Sequence, residues 1–233
     1  MTLDFSQFRV LTFDCYGTLI DWETGILGAL GPLLARHGCQ LDDARVLALY
    51  GELEAAAEAG PYRRYREVLR AVVRGMGERL GFSATEAEMA SLPASLGAWP
   101  PFPDTVAALA RLKSRYRLAI ISNTDDDLFA ETAKLLGVPK KVAFDAVITA
   151  QQAGSYKPSP NNFRMALERL GTPKEQVLHV GQSRHHDIAP ARALGIKCVL
   201  VTRRGRGAVL ANAAQPDLEV PDLKTLADRA GVA

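Results

Sequence analysis

Residues 9–21 read RVLTFDCYGTLID, and the fold turns on where this stretch changes character. Val10 to Phe13 form a short β-rich apolar run, and the run stops at Asp14 with Gly17 close behind. Such a pattern predicts a buried strand that delivers Asp14 to a turn. Gly17 permits the tight turn, and Thr18 is placed either to hydrogen-bond the Asp14 carboxylate or to cap the segment that follows.

Downstream of this strand the period changes. Val46, Tyr50, Leu53 and Ala57 recur at helical spacing, as do Tyr65, Leu69, Val72, Val73, Met76 and Leu80, so residues 22–98 are expected to be helical with no strand. Leu47, Leu53, Leu69 and Met76 read as packing residues of these helices. WPPFPD at 99–104 is a proline-rich boundary.

Beyond it, strand and helix signals alternate. A helix marked by Val106, Leu109 and Ala110 leads to LAII at 118–121. FDAVI at 144–148 precedes a helix carrying Phe163, Ala166, Leu167 and Leu170 and stopped by Gly171. QVLHV at 176–180, a helix running to Gly195, and KCVLV at 197–201 complete the series. Parallel strands need helical crossovers of this kind. The expected architecture is α/β: a doubly wound, Rossmann-like parallel sheet built from 1–20 and 99–233, with an all-helical domain, 21–98, inserted after the first strand.

Of 233 residues, 48% are hydrophobic and 23% charged, which is ordinary globular composition and excludes large-scale disorder. A net charge of +2 is too small for a nucleic-acid footprint. The cluster of Arg203, Arg204 and Arg206 lies among glycines and reads as a solvated connection. No apolar stretch approaches the length of a membrane helix, and Asp4, Gln7 and Arg9 interrupt any signal-like start, so a soluble cytoplasmic protein is expected. Cys15, Cys39 and Cys198 are odd in number and lack CxxC spacing, which predicts reduced, mostly buried thiols and neither a disulfide framework nor a zinc site.

Four strand ends carry chemistry. Asp14 can act as a nucleophile toward an electrophilic centre, or be a turn aspartate. Ser122 and Asn123 follow LAII and read either as donors to an anionic substrate or, with Thr124 before Asp125, as a helix N-cap cluster. Lys157, before Pro158, can hold Asp14 ionised or be a surface lysine. Asp187, in GQSRHHD at 181–187, either caps a helix or orients Lys157 or water.

Taken together and in this order, the four motifs resemble those of the haloacid dehalogenase superfamily: FDCYGTLID the first, SN the second, KPSP the third and GQSRHHDI the fourth. The helical insertion resembles the cap of that family. By this resemblance Asp14 is the nucleophile, Thr18 its supporting hydroxyl, Lys157 the charge anchor and Asp187 the acidic residue of the fourth loop. Ser122 and Asn123 are its substrate-anion contacts by the same resemblance, and Tyr16, Ser183, Arg184 and His186 are read as further substrate-binding residues.

The departures point to a branch. Phosphatases of the superfamily carry an acid two positions after the nucleophile, where this chain has Tyr16, and an aspartate where it has Gln182. Loss of the acid harms protonation of an alkoxide leaving group but not departure of a halide. Loss of the aspartate removes a hard oxygen ligand for Mg2+. Both changes resemble the metal-independent 2-haloacid dehalogenases. The resemblance therefore implies hydrolysis of a small-molecule carboxylate, a 2-haloacid, to a 2-hydroxy acid through an ester on Asp14, without a cofactor. The alternatives are a Mg2+-dependent phosphatase of small metabolites and a noncatalytic binding protein of the same fold. Such enzymes carry a cap arginine beside an aromatic residue; beside Tyr50 stands Gly51, leaving Arg63, Arg64 or Arg66 as substitutes or as a solvated basic face. Arg184, His185 and His186 read as a halide pocket, a proton relay or helix-start polarity. No nucleic-acid or membrane partner is expected, and a homodimer is consistent with caps of this sort.

Overall fold

The computed structural model describes residues 3–137, 143–203, 205 and 212–232. Strand β1 (Val10–Phe13) is followed by four helices, α1 (Trp22–Arg36), α2 (Asp43–Glu58), α3 (Tyr65–Leu80) and α4 (Glu86–Ser95). The chain then runs through α5 (Thr105–Lys113), β2 (Arg117–Ser122), α6 (Asp126–Leu135), β3 (Ala146–Thr149), the single turn α7 (Ala150–Ala153) and α8 (Pro160–Leu170). It finishes with β4 (Val177–Gly181), α9 (Ala189–Ala193), β5 (Lys197–Val201), β6 (Leu218–Val220) and α10 (Leu223–Arg229).

Among the described residues the six strands of the sheet are all parallel, in the order β3-β2-β1-β4-β5-β6. The apolar run that opened the sequence is therefore the centre of the sheet, paired on both sides, with helices covering both faces. Its alternate residues feed two cores: Leu11 and Phe13 join the larger cluster, Val10 the smaller one with Ala119, Val177 and Cys198. Burial on both faces is why the run shows no polar alternation. Because the chain leaves β1 toward β2 and β3 and later returns to place β4 on the other side, the sheet has a switch point beside β1, where open α/β sheets form a crevice at the carboxyl ends of their strands.

The helical cap follows from the same spacing rules. In α3 the apolar positions Val68, Leu69, Val72, Val73 and Met76 are buried, and Gly81, with φ of 83°, ends the helix. Thr85 and Glu88 form a reciprocal capping box at the start of α4. Leu47, Leu69 and Met76 are fully buried and Leu53 packs against the core, as their spacing predicts. The two connections between cap and sheet run side by side: Asp21 N donates to Pro100 O (2.8 Å) and Phe102 N to Leu19 O (3.0 Å). WPPFPD is thus the return half of a paired hinge.

Two features depart from the sequence reading. The three-residue β6 and helix α10 were not anticipated. Arg203 is not a solvated connection: its side chain is 8% exposed, stacks on Phe102 (4.2 Å), pairs with Asp104 (2.6 Å) and donates to Thr18 O (3.2 Å). Glycine neighbours and like charges made it look like a loop, whereas Asp104 in the hinge supplies a counter-ion. Arg204 and Arg206 lie outside the described residues. Cys15 and Cys198 are buried, Cys39 is partly so, and all three are free thiols. Among the described residues no helix is long and apolar enough to cross a membrane.

Candidate active site

Asp14 is the first residue past β1, its N–H still bonded to Val180 O of β4 (3.0 Å), so the sheet itself fixes its position. Gly17, at φ of 95°, takes the turn that brings Thr18 back beneath it. Thr18 Oγ1 donates to Asp14 Oδ2 (2.7 Å) and accepts from Gln182 N (2.9 Å). Lys157, 1% exposed, directs its ammonium at three oxygens: Asp14 Oδ1 (2.8 Å), Asp187 Oδ1 (2.7 Å) and Ile121 O (2.8 Å). Its three protons are thereby fully used, and both oxygens of Asp14 are held.

Asp187 is not a helix cap. Ser183 takes that role, its hydroxyl accepting from His186 N (3.0 Å) at the start of a wide turn, Arg184–Ile188. Asp187 lies inside this turn with no exposure, its Oδ2 accepting from Ser183 N (3.1 Å). Behind it, His179 Nε2 lies 3.4 Å from Oδ1, while His179 Nδ1 meets Thr12 Oγ1 at 2.9 Å. Thr12 and His179 face each other in the β1–β4 register. Gly181 is required here, because a Cβ there would lie 2.5 Å from the Asp187 carboxyl.

Electrostatics divide the two acids. Burial opposes ionisation of Asp187, but the Lys157 charge and the His179 contact hold its carboxyl well below the usual range. Burial also pushes Asp14 up, with Lys157 opposing and Asp187 adding to the rise. Lys157 resists its own burial because the two carboxylates hold its pKa above the usual lysine value. Two carboxylates share one ammonium, so the cluster is net anionic when both are ionised.

The remaining motif residues gather around one cavity of about 450 Å³. Asp14, Tyr16, Ser122, Asn123, Lys157, Gln182, Ser183, His186 and Asp187 all border it. Ser122 Oγ is fully buried and has no hydrogen-bond partner among the described residues. Asn123 borders the cavity but also clamps the lysine loop, its Oδ1 accepting from Lys157 N (2.7 Å) and its Nδ2 donating to Lys157 O (3.0 Å). The Tyr16 hydroxyl is hydrogen-bonded to Thr132 (2.9 Å), and its ring meets Trp99 edge-on. Burial pulls the pKa of His186 down to about 4, leaving a neutral ring at the cavity wall.

Four arginines do not join them. Arg184, expected as a substrate contact, turns outward to Ala214 O (2.9 Å) and Glu219. Arg64 and Arg66 pair with Asp125 and Asp127 across the cap–core boundary, and Arg63 does not border the cavity. Asp125 stands at the start of α6, but its carboxylate reaches across to cap α3, accepting from Tyr65 N (2.9 Å) and Arg66 N (3.1 Å). An aspartate of the core thus caps a helix of the lid.

Several groups were missed. His179 carried a signal, since a polar residue within QVLHV must find a partner once buried. Trp22, Trp99, Glu54 and Glu58, which complete the cavity wall, carried none.

A Mg2+ ion would be expected of the phosphatase alternative, and the donor set does not fit it. The anionic oxygens available at the strand ends are those of Asp14 and Asp187, and the Lys157 ammonium already bridges them. Gln182 is neutral where a third carboxylate would be needed, and the Tyr16 phenol is turned to Thr132. Among the described residues no group of three or more His, Cys, Asp or Glu side chains is arranged to hold a metal.

Comparison with known proteins agrees with this architecture. The family model for haloacid dehalogenase-like hydrolases matches residues 8–195. Phosphoserine phosphatase of Thermus thermophilus is 36% identical over 74% of this chain and 67% of its own length. Haloacetate dehalogenase H-2 of Moraxella sp. is 27% identical over 85% of this chain and 88% of its own. The solved L-2-haloacid dehalogenase of Xanthobacter autotrophicus with chloropropionic acid covalently bound superposes with a TM-score of 0.80 at 22% identity, covering 95% of this chain and 97% of that one.

Proposed function

The chain belongs to the haloacid dehalogenase-like hydrolases, and from that premise we propose that it hydrolyses a carbon–halogen bond of a small 2-haloacid through an ester on Asp14. The observation that carries the reading is the Lys157 ammonium lodged between Asp14 and Asp187, a fixed cation at the nucleophile. It supplies charge without a metal, and Tyr16 supplies no acid, so a leaving group that departs as a stable anion suits the site.

In the proposed cycle an Asp14 oxygen attacks the halogen-bearing carbon. The new C–O bond forms as the C–X bond breaks, and the halide leaves with its electron pair. Ser122 Oγ, buried at the cavity wall without a partner among the described residues, hydrogen-bonds the substrate carboxylate. Esterification removes the charge of Asp14, leaving Lys157 paired with Asp187. Water then adds to the Asp14 carbonyl carbon as its proton passes to Asp187, with His179 behind; the acyl–oxygen bond breaks, the departing alkoxide takes that proton back to become the 2-hydroxy acid, and the restored Asp14 carboxyl releases its own proton to solvent.

Phosphate-ester hydrolysis is the second reading, favoured by the 36% identical relative named a phosphatase. Parallel assays of halide release from 2-haloacids and phosphate release from phosphate esters, each with and without chelator, separate the two. Halide release unaffected by chelator supports the proposal; phosphate release that requires Mg2+, with no halide from any 2-haloacid, overturns it.

A further inference from the structure

The cap wall of the cavity is acidic where the family resemblance would place an arginine. Position 51 is glycine, and on the same helix α2 the side chains of Glu54 and Glu58 border the cavity one turn apart. Glu54 is fixed by two phenols, Tyr50 and Tyr65, both donating to its Oε1 (2.7 and 2.6 Å), so that Oε2 has no partner among the described residues. Glu58 makes no hydrogen bond or ion pair among the described residues. The nearby Glu52 differs, being paired with Arg79 (2.7 Å).

No cation among the described residues pairs with these acids, although the Lys157 charge reaches Glu58. Lys157 has all three protons committed to Asp14, Asp187 and Ile121 O, and His186 is neutral. Like charges at i and i+4 repel, and carboxyls partly buried without a paired cation are costly to ionise, which holds both acids above the usual carboxylate range until a cation arrives. Here they coexist with the rings of Trp22, Tyr65 and Trp99 in the same wall. Aromatic faces combined with carboxylates are the chemistry that receives an ammonium group. Independently, the fully buried Ser122 Oγ, which has no hydrogen-bond partner among the described residues, marks the cavity as built for a polar ligand.

We infer that the substrate is zwitterionic, with its carboxylate at Ser122 and an ammonium, or an equivalent cationic hydrogen-bond donor, received by Glu54 and Glu58. This deepens the dehalogenase reading and rests on it for the carboxylate end. The substrate class becomes small halogenated amino acids rather than plain haloacids.

Calorimetric titration of the full chain with unreactive probes tests this without chemistry at Asp14. The probes are β-alanine, 4-aminobutanoate and 5-aminopentanoate, each against the alkanoate bearing methyl in place of ammonium. The best amino acid is expected to bind at least about tenfold more tightly than its alkanoate, and Glu54→Gln with Glu58→Gln to abolish that preference. Equal or tighter binding of the alkanoates, or no detectable binding of any amino acid, overturns the inference in the unaltered protein whether or not the variants fold. Halide release from 2-chloro-4-aminobutanoate and 2-chlorobutanoate is scored separately. Ammonium preference in binding with halide from neither compound refutes the displacement reading alone. Halide preferentially from 2-chlorobutanoate refutes the ammonium site alone.

Discussion

The Lys157 ammonium lies 2.8 Å from Asp14 Oδ1 in a site where the lysine is 1% exposed. Removing one partner of such a pair leaves the other charge buried and uncompensated, which costs about 3–5 kcal/mol. Lys157→Ala additionally sets Asp14 and Asp187 against each other. It is expected to lower the unfolding free energy, read from denaturant curves, by an amount in that range and to abolish turnover. Asp14→Asn, which keeps shape and leaves Lys157 its bonds to Asp187 and Ile121, is expected to abolish turnover with stability little changed. Full activity in Lys157→Ala would contradict the assigned role.

The Asp125 carboxylate, with no exposure, caps α3 through two backbone N–H groups. Asp125→Ala strands both donors, and a lost cap costs about 1–2 kcal/mol. The loss falls at the seam between cap and core. Denaturation should show that destabilisation, and limited proteolysis should cut faster near residues 59–64 than in the parent chain. Unchanged cleavage would mean that other contacts hold the seam.

Gly181→Ala places a methyl 2.5 Å from the Asp187 carboxyl, whose own backbone is tied into the Arg184–Ile188 turn. The carboxylate must move away from Lys157. A fall in kcat of at least about tenfold is expected, since misplacement by 1 Å of a reacting group costs that much or more. Retained kcat would show that Asp187 tolerates displacement.

Burial, and then the neighbouring Glu54, push Glu58 up to about 9. A carboxyl raised in the fold keeps its proton where the unfolded chain has lost it, so stability falls as pH rises from the unfolded value, about 4.3, toward 9. Below that window both states are protonated and nothing is lost. Glu58→Gln should therefore be more stable than the parent at pH 8 and equal to it at pH 4, read from denaturant midpoints. A difference that does not change with pH would contradict the assignment.

How far the sequence spoke depended on whether a side chain acts within its own element. Val10 to Phe13 and the strand ends at Asp14, Ser122 and Gly181 were readable because a buried strand declares itself in consecutive residues. Lys157 and Asp187 were readable as members of an ordered set, although only the fold reveals that one ammonium serves both acids. Glu54 and Glu58 were not. They stand one position past the apolar stripe of Tyr50, Leu53 and Ala57, about 100° around the helix, and whether that flank meets solvent or the cavity is decided by how α2 packs. Asp125 is one of three consecutive aspartates, and nothing local marks it as the one that reaches α3. β6, three residues long after a polar stretch, offers too short a pattern to detect.

The covalent role of Asp14 is tested most directly by a single turnover in 18O-enriched water, with excess enzyme over a 2-haloacid that it dehalogenates, followed by mass spectrometry of product and of the peptide containing Asp14. An ester cleaved at its acyl carbon places 18O in the Asp14 carboxylate and leaves the first-formed hydroxy acid unlabelled. Product fully labelled in that first turnover, with Asp14 unlabelled, would mean that water attacks the substrate directly and would contradict the account.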